Sequence, residues 1–152
     1  RLYAMGPEPV HLVAHSLGGL IVLETLGHYQ RLPPGRVVCM GAPIAGSTAA
    51  RGLAGHGLGM VAGRSGPLLR AGLARLPPGR QIGMIAGTSS VGLGKFFSRL
   101  DHENDGTVAV WETRLPGLTD HAVVQSSHSG LVFSPQVAEL TARFLDCGRF
   151  RP

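Results

Sequence analysis

Val10-His11-Leu12-Val13-Ala14-His15-Ser16-Leu17-Gly18-Gly19-Leu20-Ile21-Val22 joins two kinds of local pattern. Val10 to Ala14 is a short apolar run fit for a buried strand. From Ser16 to about Tyr29 the apolar residues Leu17, Leu20, Ile21, Leu23 and Leu26 fall at helical spacing. Ser16 stands at the junction, with small residues two before it (Ala14) and two after it (Gly18). A strand that turns sharply into a helix brings the two backbones close together, so both flanks are expected to be small. The plain alternative is an ordinary strand–helix junction with Ser16 as N-cap.

Outward from this stretch the chain alternates strands and helices. Leu2, Tyr3 and Met5 read as a helix end closed by Gly6-Pro7. After the helix at 16–29, Arg36 to Gly41 form a second buried strand. Gln81 to Ala86 form a third and His121 to Gln125 a fourth. Ser134 caps a last helix with Pro135 at its first position, and Val137, Leu140, Phe144 and Leu145 face inward. A strand, a crossover helix and another strand imply a parallel unit. The fold class is therefore α/β: a three-layer α/β/α sandwich on a mainly parallel sheet, in a single domain over 1–152. A Gly-rich insertion at about 44–79 carries two short helices, near 47–54 and 66–76.

Composition narrows the function classes. The 152 residues are 43% hydrophobic, and 23 glycines and 11 prolines are dispersed rather than periodic. The net charge of +5 comes from scattered arginines, with Lys95 the only lysine. No basic stripe interleaved with aromatics marks a nucleic-acid surface. Cys39 and Cys147 lack metal-ligand spacing, so no metal or cofactor is expected. Both are expected to be free thiols, one buried and one peripheral. No apolar run is long enough for a membrane span, and the Gly59–Gly63 spacing lies between Arg51, His56 and Arg64. The loop Gly87 to Lys95 fails as a phosphate cradle. Ser89 stands where a glycine belongs, and Phe96 follows the lysine.

A serine hydroxyl needs a base to take its proton, and the base needs a carboxylate to fix its tautomer. Strand, serine turn and helix together form a nucleophile elbow, usually written G-x-S-x-G, with Ala14 as the departure here. The stretch is similar to that of lipases and esterases of the α/β-hydrolase superfamily, GPI inositol-deacylase-like lipases among them. Ala42-Pro43-Ile44-Ala45-Gly46-Ser47, Asp105-Gly106-Thr107-Val108 and His128-Ser129-Gly130-Leu131 also resemble that family's loops. Ser47 is expected to cap the following helix, and the insertion at about 44–79 sits where the resemblance implies a cap over the active site, with a surface loop as the plain alternative.

The resemblance implies the chain order Ser, acid, His, which Ser16, Asp105 and His128 satisfy. Asp101 and Glu103 compete for the acid. His121, at the start of its strand, and His102, out of order, compete for the base. His15 is read as a packed or solvent-edge residue that points away from Ser16. The Leu17 amide is the expected oxyanion donor.

The implied function is carboxylic ester hydrolysis through an acyl-enzyme, with a small-molecule or lipid ester as partner. An acyltransferase or thioesterase on the same fold, or a non-catalytic binding module, remains open. Ser16 lies fifteen residues after Arg1. Upstream strands and a second oxyanion donor are thus expected to be missing, and the piece to represent the C-terminal part of the fold. Strand 10–14 would then expose an apolar edge suited to self-association. The compartment stays open, with the cytoplasm as the default.

Overall fold

A computed structural model describes residues 8–29, 31–50, 65–90 and 103–151. Four parallel strands lie side by side in chain order: β1 (Leu12–His15), β2 (Val37–Met40), β3 (Ile82–Gly87) and β4 (Asp120–Val124). The register pairs Leu12 with Val37, Val37 with Ile82, and Gly83 with Asp120. Every residue of β2 and β3 is buried, which suits central strands covered on both faces.

Alternation along the strands builds two cores. Val37, Cys39, Ile82 and Met84 face Leu20, Leu23 and Leu26 of helix α1 (Leu17–His28). The short helix α2 (Gly66–Ala71) adds Leu68 and Leu69 to the same side. Val38, Met40, Ile85, Ala122 and Val124 face the other way, against Val137 and Phe144 of helix α4 (Pro135–Cys147). A one-turn helix α3 (Gly130–Phe133) precedes α4. Helices on both faces of a parallel sheet make the three layers that the sequence pattern predicts.

Several element limits differ from expectation for local reasons. The first strand begins at Leu12 rather than Val10, because the Arg36 N–H donates to His11 Nδ1 instead of to a ladder carbonyl (3.0 Å). The helix expected over 66–76 stops at Ala71. Gly72 turns there at φ 74°, and the Leu73 N–H donates to the Ile44 carbonyl (2.8 Å). Ser47 does cap, its Oγ accepting from the Ala50 N–H at 3.1 Å. Ser134 caps α4, accepting from the Val137 N–H at 3.4 Å.

The predicted helix end at 2–7, residues 51–54 of the predicted helix, the Gly59–Gly63 spacing, and Val91 to Lys95 of the glycine-rich loop lie outside the described residues. So do Asp101 and His102.

Cys39 and Cys147 are free, and burial pushes the Cys39 thiol up to about 12. β1 forms one edge of the described sheet, where Val13 is 48% exposed. Among the described residues no helix is long and apolar enough to cross a membrane, and no cluster of His, Cys, Asp or Glu could hold a metal ion.

Candidate active site

Ser16 follows the last residue of β1 and precedes the first of α1. Its backbone sits at φ 55°, ψ −129°, and it is the only non-glycine residue with positive φ among those described. Such a conformation costs on the order of 1–3 kcal/mol and persists where the surroundings enforce it. They do so here: the Ser16 N–H donates to the Met40 carbonyl at 2.9 Å while α1 begins one residue later. The serine makes no capping hydrogen bond with its side chain, which removes the plain N-cap alternative.

The helix runs close to β2 rather than to its own strand. A β-carbon at Gly18 would lie 4.0 Å from the Ala14 methyl, an ordinary contact. One at Gly19 would lie 2.6 Å from Ala42 Cβ and 3.3 Å from Cys39 Sγ. The expected crowding between positions 14 and 18 therefore falls on Gly19. For that reason the alanine at 14 is harmless.

Parallel strands deliver their C-terminal ends to one edge of a sheet. The loop after β4 brings His128 to that edge, and the segment between β3 and β4 brings Asp105. His128 Nε2 is 2.9 Å from Ser16 Oγ, and His128 Nδ1 is 2.8 Å from Asp105 Oδ2. The His128 side chain is 15% exposed and that of Asp105 1%.

The carboxylate is held on its far side as well. Oδ1 accepts from the N–H groups of Thr107 (2.9 Å) and Val108 (2.7 Å). Gly106, at φ 94°, closes this turn. The His128 N–H donates to the Asp105 carbonyl at 2.8 Å, so the two residues are joined through main chain and side chain alike.

Glu112, which is fully buried, steadies the same region. Its carboxylate accepts from the N–H of Ala109 (3.0 Å) and of Thr48 (2.5 Å), tying the loop after β2 to the segment that follows Asp105. Leu17 opens α1, so its N–H has no acceptor within the helix and lies at the positive end of the helix dipole.

Neither a protein-family model nor a curated protein sequence matches the chain. Solved structures do. The mature form of the Bacillus licheniformis lipase BlEst2 superposes with a TM-score of 0.72 at 23% identity, over 97% of this chain and 68% of that one. This fold is that of the α/β-hydrolases. The propeptide form of BlEst2 gives 0.69 at 23% identity, over 86% of this chain and 34% of its own. The metagenomic carboxyl esterase MGS0156 gives 0.66 at 20% identity, over 80% of this chain and 45% of its own. The chain thus spans about two-thirds or less of the length of these structures.

Within this α/β-hydrolase fold, Ser16, Asp105 and His128 meet, whereas Glu103 is exposed and makes no contact with His128 among the described interactions. His121 sits on β4 with Nε2 2.8 Å from Thr113 Oγ1, a packing role away from Ser16.

Two residues at the site escape the sequence reading. A β-carbon at Gly41 (φ 55°) would approach Asp105 Oδ2 and His128 Nδ1 to 3.1 Å and Leu131 Cδ1 to 3.0 Å, so only glycine leaves room for the His–Asp pair. His15 is a packed residue, and what it packs against is the site itself. Its Nε2 lies 2.9 Å from the His128 carbonyl oxygen, and the two rings are 4.6 Å apart.

Proposed function

We propose that this chain is the catalytic portion of a serine hydrolase that cleaves carboxylic esters, with Ser16 as nucleophile, His128 as base and then acid, and Asp105 as its orienting carboxylate. One observation carries the reading: a strained serine whose Oγ faces an imidazole nitrogen at 2.9 Å, with a buried carboxylate on the opposite nitrogen at 2.8 Å. The BlEst2 and MGS0156 structures, a lipase and a carboxyl esterase, add to it through their shared fold.

Ser16 Oγ attacks the ester carbonyl carbon while His128 Nε2 takes the hydroxyl proton. The carbonyl oxygen becomes an oxyanion and accepts a hydrogen bond from the Leu17 N–H, an interaction strongest in the transition state. Asp105, held by two amides, keeps the proton on His128 Nδ1 and stabilises the imidazolium. His128 then gives its proton to the departing alkoxide, leaving an acyl-serine. A water molecule, deprotonated by His128, attacks that acyl group. The acid is released and Ser16 Oγ recovers its proton.

The test is a fluorophosphonate probe with mass mapping, alongside Ser16→Ala. The probe should label Ser16 alone, and Ser16→Ala should lower ester turnover by about 10⁴–10⁶-fold. A loss below about tenfold, or a probe that leaves Ser16 unmodified, removes the assignment.

A further inference from the structure

The three residues of the proposed relay leave one titratable neighbour without a task. His15 precedes Ser16 and belongs to β1, paired with Met40. Its Nε2 is 2.9 Å from the His128 carbonyl oxygen, and its ring meets the His128 ring at 4.6 Å between centroids, tilted by 45°. A carbonyl oxygen only accepts, so the proton of this bond resides on His15 Nε2.

His128 is thereby held at four points. Its N–H donates to the Asp105 carbonyl, its C=O accepts from His15, its Nδ1 faces Asp105 and its Nε2 faces Ser16. Three of these contacts belong to the Ser–His–Asp relay or to the acid loop. The fourth comes from the same rigid strand that delivers the nucleophile.

Resting on the reading under Proposed function, we infer that His15 is a positioning residue: its imidazole clamps the main chain of His128 and packs against its ring, which keeps the base in line with Ser16. The loop carrying His128 is attached to β4, three strands from the nucleophile in the sheet order. Without a tie to β1 the Ser–His distance depends on that loop and its contacts with Asp105, and proton transfer is steep in such distances. Burial and the adjacent His128 push the His15 imidazole down, against smaller upward effects from the His128 carbonyl and Asp105. The neutral form of His15, which donates from Nε2 to the His128 carbonyl, is thereby favoured.

The experiment compares the full chain with His15→Ala and His15→Gln. Gln extends an N–H donor to the position of Nε2, whereas Ala supplies neither donor nor ring. Two readouts are taken: kcat and KM on a p-nitrophenyl ester, and the downfield proton resonance of His128 Nδ1–H.

Ala should lower kcat by about tenfold or more with KM within about twofold, and should broaden or shift the downfield resonance. Gln should recover kcat to within about threefold of the parent and restore the resonance. Should the Ala variant not fold, His15→Asn, one methylene too short to reach the carbonyl, is expected to behave as Ala would. Equal losses in Ala (or Asn) and Gln, or an Ala variant with parental kcat and resonance, overturn the clamp. Failure of the proposed function is separable. A parent chain that neither turns over ester nor takes the fluorophosphonate removes that reading, while the resonance still reports on whether His15 holds His128.

Discussion

Replacing Asp105 with Asn tests the relay with the least disturbance of shape. Asp105 is 1% exposed, and its Oδ1 accepts two backbone N–H groups at 2.9 and 2.7 Å. An Asn side chain has one oxygen and one NH₂. Turning the NH₂ toward Thr107 and Val108 would oppose it to two donors at once, a buried mismatch costing several kcal/mol. The amide oxygen therefore stays on the backbone side, and the NH₂ points at His128 Nδ1, 2.8 Å from the position of Oδ2.

Facing a donor, Nδ1 must become the acceptor, so the ring proton moves to Nε2. That nitrogen can no longer take a proton from Ser16 Oγ. The geometry survives and the base is lost. A wrong tautomer of this kind lowers kcat by about 10⁴-fold, or roughly 5 kcal/mol of barrier. Exchanging a charged acceptor for a neutral one should cost the fold only about 1–2 kcal/mol.

The assay is steady-state hydrolysis of a soluble p-nitrophenyl ester, with circular dichroism and a urea midpoint to confirm folding. A folded Asp105→Asn chain that keeps more than about a tenth of parental kcat would refute the role given to Asp105. So would a loss confined to KM.

The same site and its neighbouring strand carry two further expected outcomes. Gly41→Ala places a methyl 3.1 Å from both Asp105 Oδ2 and His128 Nδ1, at a backbone φ of 55° that disfavours alanine. It should lower kcat by at least about tenfold at a stability cost of roughly 1–2 kcal/mol, and parental kinetics would show that the pair has slack. Burial and Arg114 push the His121 imidazole down, against a smaller upward effect of Asp120. The unfolded imidazole, near 6.5, then binds its proton first as pH falls. Stability is full above about pH 6.5 and declines below it, through the lowered folded value, by at most about 1.4 kcal/mol per pH unit for this group. His121→Gln keeps an N–H for Thr113 Oγ1 and should flatten the fall in urea midpoint between pH 7.5 and 5.0; an unchanged slope would assign the effect elsewhere.

What could be read from the residues was what local physics fixes. A β-branched apolar run, a serine between small residues and a helical apolar period specify strand, turn and helix within some thirteen positions, 10–22. The same holds for the caps at Ser47 and Ser134 and for the parallel arrangement. Asp105 and His128 could be nominated because the resemblance to lipases and esterases implies the chain order and the loops that carry both, and a parallel sheet delivers its strand ends to one edge. The fold and its three layers thus followed from pattern.

Tertiary structure alone decided the rest. His128 and Ser16 are 112 positions apart, and no periodicity says which loop descends on which side chain. His15 reads in the sequence as a packed or solvent-edge residue pointing away from Ser16, because neighbours across a sharp turn diverge and nothing local announces a loop arriving from β4. Gly41 reads in the sequence as the last residue of the second buried strand, and only the packing of Asp105, His128 and Leu131 around it shows why it must be glycine. Conformation within a short segment follows from its own sterics and hydrogen bonds. Proximity between distant segments depends on how the whole core packs, and the sum of those contacts is not written in any one stretch.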